Sequence, residues 1–231
     1  MQAAALYDVH GNLPALEAAL ADVPEDAAIV VGGDVAVGPF PGEALERLRS
    51  LGERARWIRG NADRELTRGE GGLAPAAVLE WVRERLTAEQ IEFLHDLPPL
   101  LELDVEGVGR VLFCQATPQN DLDVFLERTP DEVVAPLFGG IAADLVVCGH
   151  THMQFAREVR GRPVVNAGSV GAPYEDVPGA YWAALGPGVE HRRSDYDPST
   201  LAGAGFPGRT AGALPSRAEA TAFFETLAVG A

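Results

Sequence analysis

Five short segments close apolar runs and carry side chains of the types that hold metal ions. They are Asp8-Val9-His10, Gly33-Asp34, Gly60-Asn61-Ala62-Asp63, Cys114-Gln115 and Gly149-His150-Thr151-His152. Their donors are carboxylate, imidazole and amide, a mixture that suits manganese, iron, zinc or cobalt better than calcium or magnesium, which prefer oxygen alone. Two such ions about 3.5–4 Å apart, sharing one carboxylate, can activate a water and clamp phosphoryl oxygens. Asp8 and His10 are two residues apart, as are His150 and His152, so extended backbone would point each pair to one side.

Hydrophobic patterning predicts the elements that must position these residues. Ala3–Tyr7, Ala28–Val31 and Arg56–Arg59 read as strands, with helices over Leu13–Ala21 and Glu43–Leu51 between them. Pro14 suits a first helical turn. The first two strands are apolar throughout, as strands buried on both faces are, and the strand–helix alternation implies a parallel sheet. Ligands of such sheets collect beyond the carboxyl ends of the strands, where Asp8, Asp34 and Asn61 fall. Two helices follow, Pro75–Leu86 and Thr87–Asp96, the second opened by a capping box at Thr87-Ala88-Glu89-Gln90. After Pro98-Pro99 the chain turns strand-rich: Leu100–Val105, Arg110–Phe113, Asp144–Val147, Pro163–Val165 and Tyr181–Leu185, interrupted by a helix near Pro130–Phe138. Beyond Asp195 glycine and proline recur, and one short helix is expected over Ser216–Leu227.

At 231 residues and 47% hydrophobic, the chain can bury one sizeable core. A formal charge of -16, with no cluster of basic residues, argues against nucleic acid or an anionic membrane as a general partner. The two cysteines, Cys114 and Cys148, both end apolar runs, as buried reduced thiols of a cytoplasmic protein do, although a disulfide between neighbouring strand ends is an alternative. The chain opens directly on a strand and holds no apolar run of about 18 residues, so neither signal peptide nor membrane span is expected.

In order and spacing, these motifs resemble the calcineurin-like metallophosphoesterases, in their small bacterial and archaeal phosphodiesterase branch. The resemblance rests on the opening run from Asp8 to Glu17, on Gly33-Asp34, Gly60-Asn61-Ala62-Asp63 and Gly149-His150-Thr151-His152, and on Val165-Asn166-Ala167-Gly168-Ser169. It covers about residues 1–200. It implies an α/β fold, an αββα sandwich of two mixed β-sheets flanked by helices. Residues 1–194 would form that domain and the irregular tail 195–231 would pack on it.

The resemblance also implies a ligand set for two divalent transition-metal ions, manganese first, with iron, zinc, cobalt or nickel as alternatives. Asp8, His10 and His152 would hold the first ion, Asp34 would bridge, and Asn61 and His150 would hold the second. The family places one more histidine on the second ion, where this chain has Gln115. An amide oxygen is the poorer donor, so Gln115 is a competent ligand, a weak one or none, and loss of the imidazole should lower that ion's affinity by at least about 10–100-fold. Many relatives carry a histidine immediately after Asn61, able to protonate a leaving alkoxide; here it is Ala62. Catalysis would rest on His150, Asn61 and Asp63: His150 stabilising equatorial charge on phosphorus, Asn61 holding an ion, and Asp63 bracing a ligand, such as a histidine ring N–H.

The implied activity is metal-dependent hydrolysis of a small phosphoester, a diester rather than a monoester, by in-line attack of activated water. The alternative is a catalytically degenerate binding or scaffold protein on the same fold, which Gln115 and Ala62 favour. Arg59 and Arg64 are placed to grip a monoester dianion. Asn166 and Ser169 would shape a turn beside the site, and Asp121-Leu122-Asp123 would be a solvated loop or a substrate-side wall. His95 and His191 read as surface residues, and Trp57, Trp81 and Trp182 as core aromatics.

Overall fold

Alternation along the first strand sets the layering. In the computed structural model, which describes residues 1–70, 74–210 and 214–228, strand β1 is Ala3–Leu6. Its Ala4 and Leu6 turn to helices α1 (Leu13–Asp22) and α2 (Pro41–Arg49), while Ala3, Ala5 and the following Tyr7 face a second sheet. β2 (Ala28–Val31) and β3 (Ala55–Trp57) extend this first sheet in parallel. Helices α3 (Asn61–Arg68), α4 (Ala76–Arg83) and α5 (Ala88–Asp96) complete its outer cover through Leu66, Val78, Leu79, Val82 and Leu94.

The second sheet contains β4 (Leu100–Val105), β5 (Gly109–Cys114), β6 (Leu145–Cys148), β7 (Phe155–Val159) and β8 (Arg162–Asn166). It runs in the order β4-β5-β6-β8-β7, with β5, β6 and β8 parallel and both edge strands antiparallel. Its outer face is covered by α6 (Asp131–Val134) and the 3₁₀ turn Ala135–Phe138. The chain then returns to the first sheet with β9 (Ala180–Leu185), antiparallel to β1, and β10 (Val189–Ser194) at the edge. Val30, Ile58, Val111, Phe113, Leu145 and Val165 fill the space between the sheets. The result is a sandwich of two mixed five-stranded sheets flanked by helices.

The chain after β10 lies against this sandwich. A 3₁₀ turn at Pro198–Leu201 is followed by α7 (Arg217–Glu225), whose Ala220 and Phe224 pack with Val124, Leu126 and Met153. Arg217 pairs with Glu175 at 2.5 Å.

Every expected strand and helix is present, with ends shifted by up to three residues. The capping box forms as read, Gln90 N donating to Thr87 Oγ1 at 3.2 Å and Thr87 N to Gln90 Oε1 at 2.9 Å. Among the described residues, one α-helix and two strands were not expected. α3 has the polar sequence Asn-Ala-Asp-Arg-Glu, and β10 has exposed charges suited to an edge strand. β7 is the opposite edge of the second sheet. Cys114 and Cys148 are free, buried thiols, which removes the disulfide alternative. Trp182 is buried, but Trp57 and Trp81 are only half-buried. No helix among the described residues is long and apolar enough to cross a membrane.

Phe113 sits fully buried between the sheets. Phe113→Ala should lower the free energy of unfolding by about 3–5 kcal/mol, read as a shifted denaturant midpoint at unchanged slope.

Candidate metal centre

Every predicted ligand lies in a segment past the carboxyl end of a strand. Asp8 follows β1, Asp34 follows β2, Asn61 opens the helix after β3, Gln115 follows β5 and His150 follows β6. The loops that carry them are joined beyond the sheets. Asp8 N donates to Gly33 O, His10 N to Asp34 O at 2.9 Å, Gly149 N to Gln115 O at 2.9 Å and Gly171 N to Asp8 O at 3.0 Å. Close approach is the reason for the glycines here. A Cβ on Gly60 would meet the Asp34 carboxylate, and one on Gly149 would meet that of Asp8.

The backbone of these residues differs from the sequence expectation. Asp8, His10, Asp34, His150 and His152 all have φ between 46° and 69°, the left-handed region, so neither the Asp8–His10 nor the His150–His152 pair is aligned by extended backbone. Among the described residues, one other non-glycine, Arg160, has a positive φ. Each such residue costs of order 1–3 kcal/mol and persists only where its surroundings fix it.

Asp8, His10 and His152 form a group able to hold a metal ion, with ligand atoms within 4.8 Å of one another. His10 Nδ1 donates to Val37 O at 3.1 Å and His152 Nδ1 to Ala172 O at 2.7 Å. Carbonyls only accept, so these bonds place a proton on each Nδ1 and turn each Nε2 toward the centre as the atom that would ligate an ion. The two Nε2 atoms are 3.2 Å apart, and His152 Nε2 is 3.5 Å from Asp8 Oδ1. Burial, and then the neighbouring His152, push the His10 imidazole down to about 4, so the ring is neutral at pH 7. Two imidazole Nε2 atoms facing one another beside a buried carboxylate are the donor set that a shared cation takes.

Burial works to raise the Asp8 carboxyl, but the rings of His152 and His10 and the Gln115 amide outweigh it and hold the group below its ordinary value. Asp34 behaves oppositely. Burial and the charges of Asp8 and Asp63 push it well above the carboxylate range. Its Oδ1 accepts from Ala62 N at 2.7 Å, and its Oδ2 lies 3.9 Å from His10 Nε2.

Asn61 and His150 meet separately, amide against His150 Nδ1 at 2.8 Å. Turned over, the Asn61 nitrogen makes that contact and also donates to Asp34 Oδ2 at 3.2 Å. His150 Nε2 is buried without a partner. Gln115 is drawn to the other group, its Nε2 donating to Asp8 Oδ1 at 2.8 Å. Its Oε1 is left buried and unpartnered, close to Gly33.

Asp63 does not reach a histidine. Its carboxylate accepts from Asp34 N at 2.8 Å, Val35 N at 3.0 Å and Gly60 N at 3.1 Å, tying the Asp34 loop to the start of α3. Asn166 braces Gly149 O and Thr151 Oγ1, and Ser169 Oγ donates to Asp8 O at 2.8 Å. Arg64 is engaged by Asp121 through two bonds of 2.8 Å, so it is not free to grip an anion and Asp121 is not a freely solvated loop residue. Sequence reasoning missed Tyr174, which stacks on His152 with ring centres 5.0 Å apart; no spacing signal marks it.

The chain belongs to the calcineurin-like phosphoesterase superfamily, whose domain model matches residues 1–185. A solved metallophosphoesterase from Sphaerobacter thermophilus is 26% identical, with a TM-score of 0.69 over 87% of this chain and 91% of that one. An uncharacterised protein of Methanocaldococcus jannaschii is 26% identical over 198 residues, 75% of this chain and 78% of its own length. A symmetrical bis(5′-nucleosyl)-tetraphosphatase of Pectobacterium atrosepticum is 35% identical over 127 residues, 52% of this chain but only 45% of that protein.

Asp63→Asn replaces one charged acceptor by an amide N–H facing backbone donors. It should lower the thermal midpoint and weaken divalent-ion binding by about 10–100-fold, read by calorimetric titration.

Proposed function

We propose that this chain is a metal-dependent phosphodiesterase. The observation that carries the proposal is the convergence of two imidazole nitrogens, His10 Nε2 and His152 Nε2, 3.2 Å apart beside the buried Asp8. Asp8, His10 and His152 would hold one ion, Asp34 would stand between the two, and Asn61 and His150 would hold the second. Gln115 Oε1, a buried acceptor with no donor, would be a weak further ligand of that second ion. Manganese is the first candidate. When bound, divalent ions supply Lewis acidity toward water and toward the phosphoryl oxygens.

The protein's own part is positional and electrostatic. The Nδ1 bonds of His10 and His152 fix which nitrogen faces the centre, and Asp63 fixes the loop carrying Asp34. His150 Nε2, buried and unpartnered, is free to donate to an equatorial phosphoryl oxygen, a role that fits preorganised charge stabilisation. Water adds to phosphorus as the ester oxygen departs, and that oxygen must collect a proton. Ala62 offers none, so the solvent supplies it. Phosphate-ester relatives with nucleoside groups, such as the bis(5′-nucleosyl)-tetraphosphatase, support a substrate bearing more than one group on phosphorus.

One contact favours the scaffold reading: the Gln115 nitrogen rests on Asp8 Oδ1, where it competes with an ion. Metal content per chain after purification in Mn²⁺, measured with hydrolysis of bis-p-nitrophenyl phosphate, separates the two. Near two ions with turnover supports the enzyme. One ion or none, with no turnover even in Gln115→His, overturns it. In the enzyme, Gln115→His should tighten the second ion by about 10–100-fold. With no acid at Ala62, replacing the nitrophenyl leaving group by an alkyl group should cost an additional factor of about 10²–10⁴ relative to a relative that keeps the histidine.

A further inference from the structure

The candidate centre opens on one side into a groove of about 1100 Å³, with His10 and His152 at its inner end. Pockets that hold a drug-sized molecule run to about 300–1,000 Å³, so this one far exceeds the needs of a phosphoryl group. Much of its outer wall comes from Leu201–Thr210 and α7, beyond residues 1–185 that the family model matches. That part of the wall lies outside the stretch the family model matches.

Its lining is aromatic with one positive charge. Tyr174, Phe206, Phe223 and Phe224 present rings to it. Phe206 is supported edge-on by Trp81 at 5.4 Å, and Tyr174 packs against Phe224 at 5.9 Å. Phe223 is 58% exposed, a large ring kept in water on the wall of a groove that leads to the centre. Arg209 is the one Lys or Arg among the described residues lining the groove, in a chain where 18 Lys and Arg face 34 Asp and Glu. The one acidic side chain there, Glu219, is spent on capping α7, accepting from Ser216 N at 2.9 Å and Ser216 Oγ at 2.8 Å.

We propose that this groove receives a nucleoside, and that the substrate is a phosphodiester with a nucleoside as one ester group. This rests on the phosphodiesterase reading of the same centre. Any group attached to a phosphorus at His10 and His152 has this groove beside it. Ring faces stack on any base, and a guanidinium can pair with a further phosphate or lie on the base plane. A hydrocarbon chain would leave Arg209 and Thr210 without partners.

The test compares two diesters that share one leaving group, in the full-length protein loaded with Mn²⁺. They are the p-nitrophenyl ester of thymidine monophosphate and ethyl p-nitrophenyl phosphate. The nucleoside ester should be preferred in kcat/KM by about tenfold or more, the scale of one base–aromatic stack. Phe223→Ala and Arg209→Ala alter exposed side chains, so the fold should survive; each should reduce that preference, through KM. Calorimetry supplies a readout independent of turnover: thymidine monophosphate should bind at least about tenfold more tightly than ethyl phosphate, and Phe223→Ala should erase the difference. Nucleotide binding without turnover of either ester would uphold the groove and sink the catalytic reading. Turnover of both esters at equal efficiency, with equal binding of the two monoesters, would overturn the groove and leave the phosphodiesterase. Phenyl phosphate binding more tightly than thymidine monophosphate would overturn the nucleoside in favour of a plain aryl group.

Discussion

Asp8 is where the two sheets are held in register at their functional end. It follows a strand of the first sheet, yet its carboxylate oxygens accept from Gln115 Nε2 and His150 N, both carried by loops of the second. A fully buried carboxylate is tolerable only when hydrogen-bonded and near positive charge, so those loops have little freedom to lie elsewhere. One residue earlier, the Tyr7 hydroxyl donates to Val147 O at 3.0 Å, a second polar link across the same apolar layer. The positions of His10, His150 and His152 follow from that seam.

The layer beneath is ordinary, and the strain is concentrated above it. Five residues of the candidate centre occupy left-handed backbone while the strands below them are regular. Such a division suits a site that must converge side chains from both sheets. The sheets supply rigidity, and the loop ends supply directions that strand geometry cannot offer. Asp63 shows how the strained turns are held, since one carboxylate satisfies three backbone N–H groups from two loops.

The sequence carried the fold well because its signals are local. Apolar runs such as Ala28–Val31 and helical leucine spacing announce buried strands and covering helices. The ligand types were legible because each stands at the end of such a run. What could not be read was anything set by distant partners. The polar start of α3 hides its helical state, and the charges of β10 hide an edge strand. Ligands two residues apart, Asp8–His10 and His150–His152, suggest extended backbone, whereas these residues take left-handed φ in the joined loops. The engagement of Arg64 with Asp121, 57 residues away, and the grip of Asp63 on backbone donors leave no trace in local spacing. Of the groove wall, the helix α7 was legible, but the stretch Leu201–Thr210 was silent, because glycine and proline there give no period.

Tyr174 links that wall to the centre. It lies against His152 on one side and Phe224 of α7 on the other, and its N–H donates to His152 O at 3.1 Å. Two ring contacts therefore connect the C-terminal helix to an imidazole that faces the centre. Whatever displaces α7 bears on the angle of that imidazole, so the tail is a mechanical neighbour of the chemistry as well as its enclosure.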